Sequence, residues 1–307
     1  MIRHLNYLYS LNVRNIIEIS SVGYKVITDK SYYFLKKVDS LNKENIYIRL
    51  SLSKVGYFNI PLRSINNRYV EEIDHKYYTL SYFYQDENLA LKEMRMSFYL
   101  KTLGYLHSNT IYPLKVNDGY FKESLDYIEN KIMTTNDQLE SRMYALERSE
   151  YHSPSDWYFI SNYQFFHNAI NESQKYLDLL NDESEKLHSV ELCLTYQNYD
   201  INHIILKEEK IISLENMAIA PSIYDLVDFV EKNYNEKIDI STLINNYLAI
   251  NQLALYQKYW LLSLLFIPKI NKETDDLSDI QSLYLSINYL QNVEKIRSAI
   301  LPQTETE

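Results

Sequence analysis

Residues Glu191–Val230 read ELCLTYQNYDINHIILKEEKIISLENMAIAPSIYDLVDFV. Three short apolar runs, Leu192–Leu194, Ile204–Leu206 and Ile211–Leu214, are separated by polar turns, and Asp225-Leu226 then opens an apolar helix. Runs of this length, rich in Ile and Leu and bounded by Asn, Asp, Lys and Glu, predict buried strands. The polar loop after the first run holds Tyr196, Gln197, Asn198, Asp200 and His203, and Ser213 and Glu215 fall at the end of the third.

This order of strand, polar loop, strand, charged turn, strand and Asp-Leu helix resembles the core of the aminoglycoside and choline kinases and of the related spore-coat kinase-like proteins. Those families carry His-Gly-Asp after the first strand, then four residues and an Asn, and Ile-Asp-Phe on the later strand. Aligning His203–Leu206 with the family's Asn-Ile-Leu, and Asp225-Leu226 with its Asp-Leu, needs no gap inside the loop. The resemblance then places Tyr196-Gln197-Asn198 at His-Gly-Asp, His203 at the metal-binding Asn and Ser213 at the Asp of Ile-Asp-Phe. It implies an α+β, two-lobed, protein-kinase-like fold with a small antiparallel β lobe and a large, mainly helical lobe.

Phosphoryl transfer needs magnesium placed against the phosphates and a carboxylate that orients and deprotonates the attacking hydroxyl. Asn198 has a neutral amide that cannot take that proton, and a general base contributes roughly 10²–10⁴ in rate. Ser213 offers a neutral hydroxyl where a hard cation takes carboxylate oxygen, and His203 an imidazole better suited to softer metals. Asp200 and Glu215, each two residues past a lost acid, are the candidate substitutes; the plainer reading is a loop acid and a strand-end acid facing water. Asp225 matches the family's Asp-Leu, whose implied role is to brace the catalytic loop, and it is equally an acid favoured in a first helical turn.

Towards the N-terminus, residues 17–38 alternate and are rich in Val, Ile, Tyr and Phe, with Asp29-Lys30-Ser31 as a turn, which predicts a hairpin. The resemblance makes Lys36, after Phe34-Leu35, the lysine that pairs with nucleotide phosphates; on its own it reads as an edge lysine. Asn42–Tyr57 is the expected helix behind that strand, and Glu44 its one acid able to meet Lys36. Two further strands and the connection between lobes follow from Ile60 to Phe83. A phosphate-cradling loop needs glycine so that backbone N–H groups can approach the anion, and the chain's four glycines leave only Gly23 near the first turn.

Beyond it, Leu89–His107 and Tyr120–Leu146 have helical period. Ser153 with Pro154 and Asp156 marks another helix start, continued through Trp157, Phe159, Tyr163, Phe166 and Ile170. Ile240–Ile267 and Leu277–Ile300 are two more expected helices. The sequence thus predicts a lobe at 1–85, a helical lobe at 86–300 holding the degenerate loop at 192–216, and a disordered tail at 301–307.

With 31 Lys and Arg against 41 Asp and Glu and no basic cluster, the chain lacks the means to neutralise nucleic-acid phosphates. No apolar run reaches the roughly 20 residues of a membrane span. A lone Cys193 suits a reducing compartment, and no signal peptide is read in the first 20 residues; a cytoplasmic location is expected, with a spore-coat-like assembly implied by the resemblance. The 31 tyrosines accompany abundant Ile, Asn and Lys and identify no partner. The functional expectation is a pseudokinase acting as a binding or scaffold protein for a protein partner, with no cofactor and no metal. The alternative is an active phosphotransferase using ATP, magnesium and a small-molecule acceptor through Asp200 and Glu215.

Overall fold

The computed structural model describes residues 1–85, 91–117, 119–233 and 238–301. Residues 89–90 and 302–307, where a helix start and a disordered tail are expected, lie outside these. In chain order the elements are α1 (Ile2–Tyr9), β1 (Val13–Ser20), β2 (Gly23–Thr28), β3 (Tyr32–Val38), α2 (Lys43–Leu52), β4 (Val70–Ile73), β5 (Lys76–Tyr82), α3 (Lys92–Asn109), β6 (Tyr112–Lys115), α4 (Lys122–Glu147), α5 (Pro154–Ser184), β7 (Ser189–Thr195), β8 (Ile204–Ile205), β9 (Lys210–Ile211), β10 (Ala218–Ala220), α6 (Ile223–Asn233), α7 (Ile240–Leu248), α8 (Leu255–Leu265) and α9 (Asp276–Ile300). The fold is α+β and two-lobed, and two compact units divide it: Met1–Ile111 with Cys193–Ala220, and Tyr112–Leu192 with Pro221 onward.

The first unit is built on a five-stranded antiparallel sheet of order β1-β2-β3-β5-β4. Alternation along β2, β3 and β5 sends Val26, Leu35, Tyr78 and Leu80 to one face, where Leu5 and Leu8 of α1 close a core with Val13, Tyr33 and Ile73. The Asp29–Ser31 turn joins β2 to β3 and is held by Thr28 Oγ1, which donates to the Ser31 carbonyl at 2.8 Å. The helix expected over 42–57 stops at Leu52. Its last turn closes on Ser53, whose N–H donates to the Arg49 carbonyl at 3.0 Å, and Tyr57–Asn59 run extended beside β9, with Ile211 N–H donating to the Tyr57 carbonyl at 2.8 Å and Asn59 N–H to the Ile211 carbonyl at 2.9 Å.

In the second unit α5 is the central helix, packed along α8, α4 and α9. Its start is the expected one: Ser153 caps, Pro154 takes the first position, and Asp156 completes a capping box. Phe159, Phe166, Tyr176 and Leu180 of α5 are buried, as are Trp260, Leu261 and Leu265 of α8 and Tyr289, Leu290 and Val293 of α9. Ile240–Ile267 is two helices, not one. The chain turns at Asn251, whose amide donates to the Tyr247 hydroxyl at 2.8 Å, and restarts at Ala254, whose N–H donates to Gln257 Oε1 at 2.9 Å; polar side chains here satisfy backbone groups that a continuous helix would have used. Among the described residues no helix is long and apolar enough to cross a membrane.

Candidate functional site

The site residues named from sequence between positions 36 and 215 all fall in the first unit, and two sets of contacts organise them. One is a polar cluster where the 196–203 loop meets residues 212–216. Tyr196 is fully buried, edge-on to Tyr99 at 5.8 Å and near Phe58 at 6.3 Å. Its hydroxyl donates to the Ile212 carbonyl at 2.6 Å, leaving its oxygen to accept from His203 Nδ1 at 3.1 Å. The same Nδ1 lies 3.1 Å from the Asn198 carbonyl. Two acceptors facing one ring nitrogen assign the proton to Nδ1. Asn198 Nδ2 donates to the Ser213 carbonyl at 3.0 Å, and Ile212 N–H to the His203 carbonyl at 2.9 Å.

Gln197 and Ser213, at the glycine and aspartate positions of the resembled motifs, both hold left-handed backbone, with φ of 50° and 61°. Only glycine accepts that region at no steric cost. Asp200 is exposed and caps a short 3₁₀ turn over Ile201–His203, its Oδ1 accepting from Asn202 N–H at 2.8 Å and Asn202 Nδ2 at 2.9 Å.

The second set lines a cavity of about 170 Å³ against the sheet, walled by Phe34, Tyr47, Tyr82, Phe83 and Tyr84. At one end Lys36 Nζ lies 2.6 Å from Glu215 Oε1, an ion pair of a half-buried lysine with a half-buried acid. Burial pushes the Tyr47 phenol well up, with Glu215 and then Glu44 adding to it, so it stays a neutral hydroxyl. Gly23 lies against Phe34: a Cβ there would sit 2.8 Å from the ring's Cζ. The one glycine near the first turn thus makes room for an aromatic ring.

Glu44 has a different position from the one its spacing implies. Its carboxylate accepts from the N–H of Tyr69 at 2.9 Å and of Val70 at 2.8 Å, anchoring α2 to the start of β4, while the acid on Lys36 is Glu215. Asp225 is buried in the first turn of α6, in the second unit. Tyr47 and Asn59, the latter donating to the Tyr82 carbonyl at 2.9 Å, belong to no motif and were not legible from spacing.

The donor set does not fit magnesium. At the two positions the resemblance gives to the metal, His203 offers an imidazole and Ser213 a neutral hydroxyl, where a hard cation takes carboxylate or carbonyl oxygen, and among the described residues no group of three or more His, Cys, Asp or Glu side chains converges.

This fold is that of the protein-kinase-like small-molecule phosphotransferases. An aminoglycoside phosphotransferase from Alicyclobacillus acidocaldarius matches with a TM-score of 0.68 at 11% identity, covering 95% of each chain. A spectinomycin phosphotransferase in complex with ADP and spectinomycin matches at 0.51 and 14% identity over 97% of each chain. Its AMP-bound complex matches at 0.52 and 15% identity over 98%. The likeness is one of fold. No family model and no curated protein sequence matches the chain.

Proposed function

We propose that this chain is a pseudokinase: a phosphotransferase fold that acts by binding, as a scaffold for a protein partner, and not by phosphoryl transfer. The observation that carries the reading is the Lys36–Glu215 pair. An active site of this kind pairs its lysine with an acid of the helix behind the strand and keeps both in place for the phosphates. Here that helix's acid, Glu44, is turned onto the backbone of β4, Lys36 is held instead by Glu215, two residues past Ser213, and a bound triphosphate would meet Glu215 as a like charge. The cavity beside it, about 170 Å³, is smaller than the roughly 300–1,000 Å³ of ordinary ligand pockets. Asn198 and His203 have their polar groups turned onto the protein's own backbone and onto Tyr196, and Asp200 caps a turn. The expected cytoplasmic location and the spore-coat-like assembly implied by the resemblance belong to the same proposal.

Thermal unfolding with ATP, with and without magnesium, tests it. A ligand at about 100 times its Kd stabilises by about 2.7 kcal/mol, a shift of several degrees. The wild-type chain is expected to show none, and Glu215→Gln, which frees Lys36, to gain an ATP-dependent rise that does not require magnesium. A magnesium-dependent shift in the wild type, or ATP consumption that disappears in Asp200→Asn, would establish the alternative of an active phosphotransferase with rearranged acids.

A further inference from the structure

The two edges of the five-stranded sheet are finished differently. At β4 the Glu44 carboxylate takes the N–H groups of Tyr69 and Val70, and Glu71 is itself buried against Ser64 and Asn66. At β1, an eight-residue strand, seven residues from Arg14 to Ser20 are exposed or half-exposed. Ile17 and Ile19 are 46% and 53% exposed, and Val22 just beyond is 42%. Backbone donors on this strand have found side chains in place of a neighbouring strand: Val13 N–H donates to Asn6 Oδ1 at 2.8 Å and Ile16 N–H to Asn15 Oδ1 at 2.9 Å. A long apolar edge with unladdered amides is a template for another strand.

We propose that the β1 edge pairs with the β1 edge of a second copy of this chain, antiparallel about a two-fold axis centred on Ile16. The charges choose that occupant and that register. Directly opposed residues of a two-fold antiparallel pair add to a constant, so centring on Ile16 sets Arg14 against Glu18 of the second copy, twice. Centring on Ile17 would set Glu18 against Ile16, and centring on Glu18 would oppose two carboxylates. The Glu18 carboxylate has no hydrogen-bond or ion-pair partner among the described residues. Arg14, 69% exposed, contacts Asp29 through Nε, so its terminal nitrogens are not used in that ion pair. Opposite charges facing across strands stabilise the pairing and like charges oppose it. The register of β1 on β2 shifts between Val13 and Asn15 and between Glu18 and Ser20, so the regular segment is only Asn15–Glu18 and Arg14 meets Glu18 of the second copy at its margin. A contact that short makes a weak, concentration-dependent dimer. The pairing would join two sheets into one, with a Phe34-lined cavity on the same face of each half.

Sedimentation velocity over a wide concentration range is the test, with far-UV circular dichroism confirming that each variant is folded. The wild type is expected to self-associate, and Arg14→Glu and Glu18→Arg each to weaken the dimer by about tenfold or more, since each opposes like charges twice. In an equimolar mixture, a chain with carboxylates at both positions meets a chain with guanidinium groups at both, so the mixture is expected to recover the dimer. Ile17→Lys, which leaves the Asp29 contact intact, is expected to weaken it as well. A wild type that stays monomeric throughout, a dimer indifferent to all three variants, or variants that fail to recover on mixing would each overturn the proposal.

Discussion

Ser213 holds a left-handed backbone, φ 61° and ψ 61°, while its carbonyl accepts from Asn198. An L-residue in that region costs about 1–2 kcal/mol relative to its preferred conformation, against the roughly 0.5–1 kcal/mol that glycine loses in unfolded-state entropy. Ser213→Gly is therefore expected to raise stability by about 0.5–1 kcal/mol, read as a higher urea midpoint with unchanged slope; a lower midpoint would mean the serine hydroxyl contributes a contact that the backbone argument omits. What could be read from sequence at this scale was residue type. That Asn198, His203 and Ser213 lack carboxylates follows from spelling alone, and so does the scarcity of glycine. Which acid meets Lys36 does not. Helix spacing nominated Glu44, but its carboxylate is turned to two backbone N–H groups of β4, and Glu215 arrives from a distant part of the chain through a turn that no local pattern encodes.

Among the elements, those with a strong local signature were legible. The 31-residue helix α5 begins at Ser153 because the serine hydroxyl, Pro154 and Asp156 together satisfy and pre-set its first turn. Ser153→Ala should therefore cost about 1 kcal/mol of stability, and Ser153→Asp about nothing, since an aspartate caps equally well; equal losses in both, followed by urea unfolding, would show that the hydroxyl's contact with Ser155 and not the cap matters. Elements without such a signature were not read. Helix α1 and the short strands β6 and β10 are too brief for periodicity to speak, and their existence depends on partners: Leu5 and Leu8 on the sheet core, Tyr112–Lys115 on β7, Ala218–Ala220 on β7. The break between α7 and α8 was hidden because the apolar count stays high across it, while the turn itself rests on the single Asn251–Tyr247 contact.

At the scale of the whole molecule, stability against acid is set by carboxylates that folding holds ionised. Asp279 of α9 is the most buried of them: burial alone would raise its pKa, but hydrogen bonds and charge from Arg142 of α4, 2.5 Å away, and the Glu273 N–H outweigh this and hold it low. Arg142 in turn lies 4.2 Å over the Phe159 ring of α5, so one ion pair joins three helices of the second unit. Asp275, which caps α9, and Asp239, which caps α7, are also held low by hydrogen bonds from the turns they cap. For each, the folded pKa lies below the unfolded value of about 3.9. The stabilisation is thus complete above that value and lost as pH falls through the folded pKa. Breaking one partner of a buried pair costs about 3–5 kcal/mol, so Asp279→Asn is expected to lose about that much at pH 7. The deficit should begin to shrink below about pH 4, where the carboxylate of the unfolded chain takes up its proton, and go on shrinking as pH falls towards the lower folded pKa, where the native carboxylate is protonated too and resembles the amide. Urea unfolding of both proteins at pH 7 and pH 3 measures this; a deficit unchanged between the two pH values would mean that Asp279 acts through packing and not through its charge.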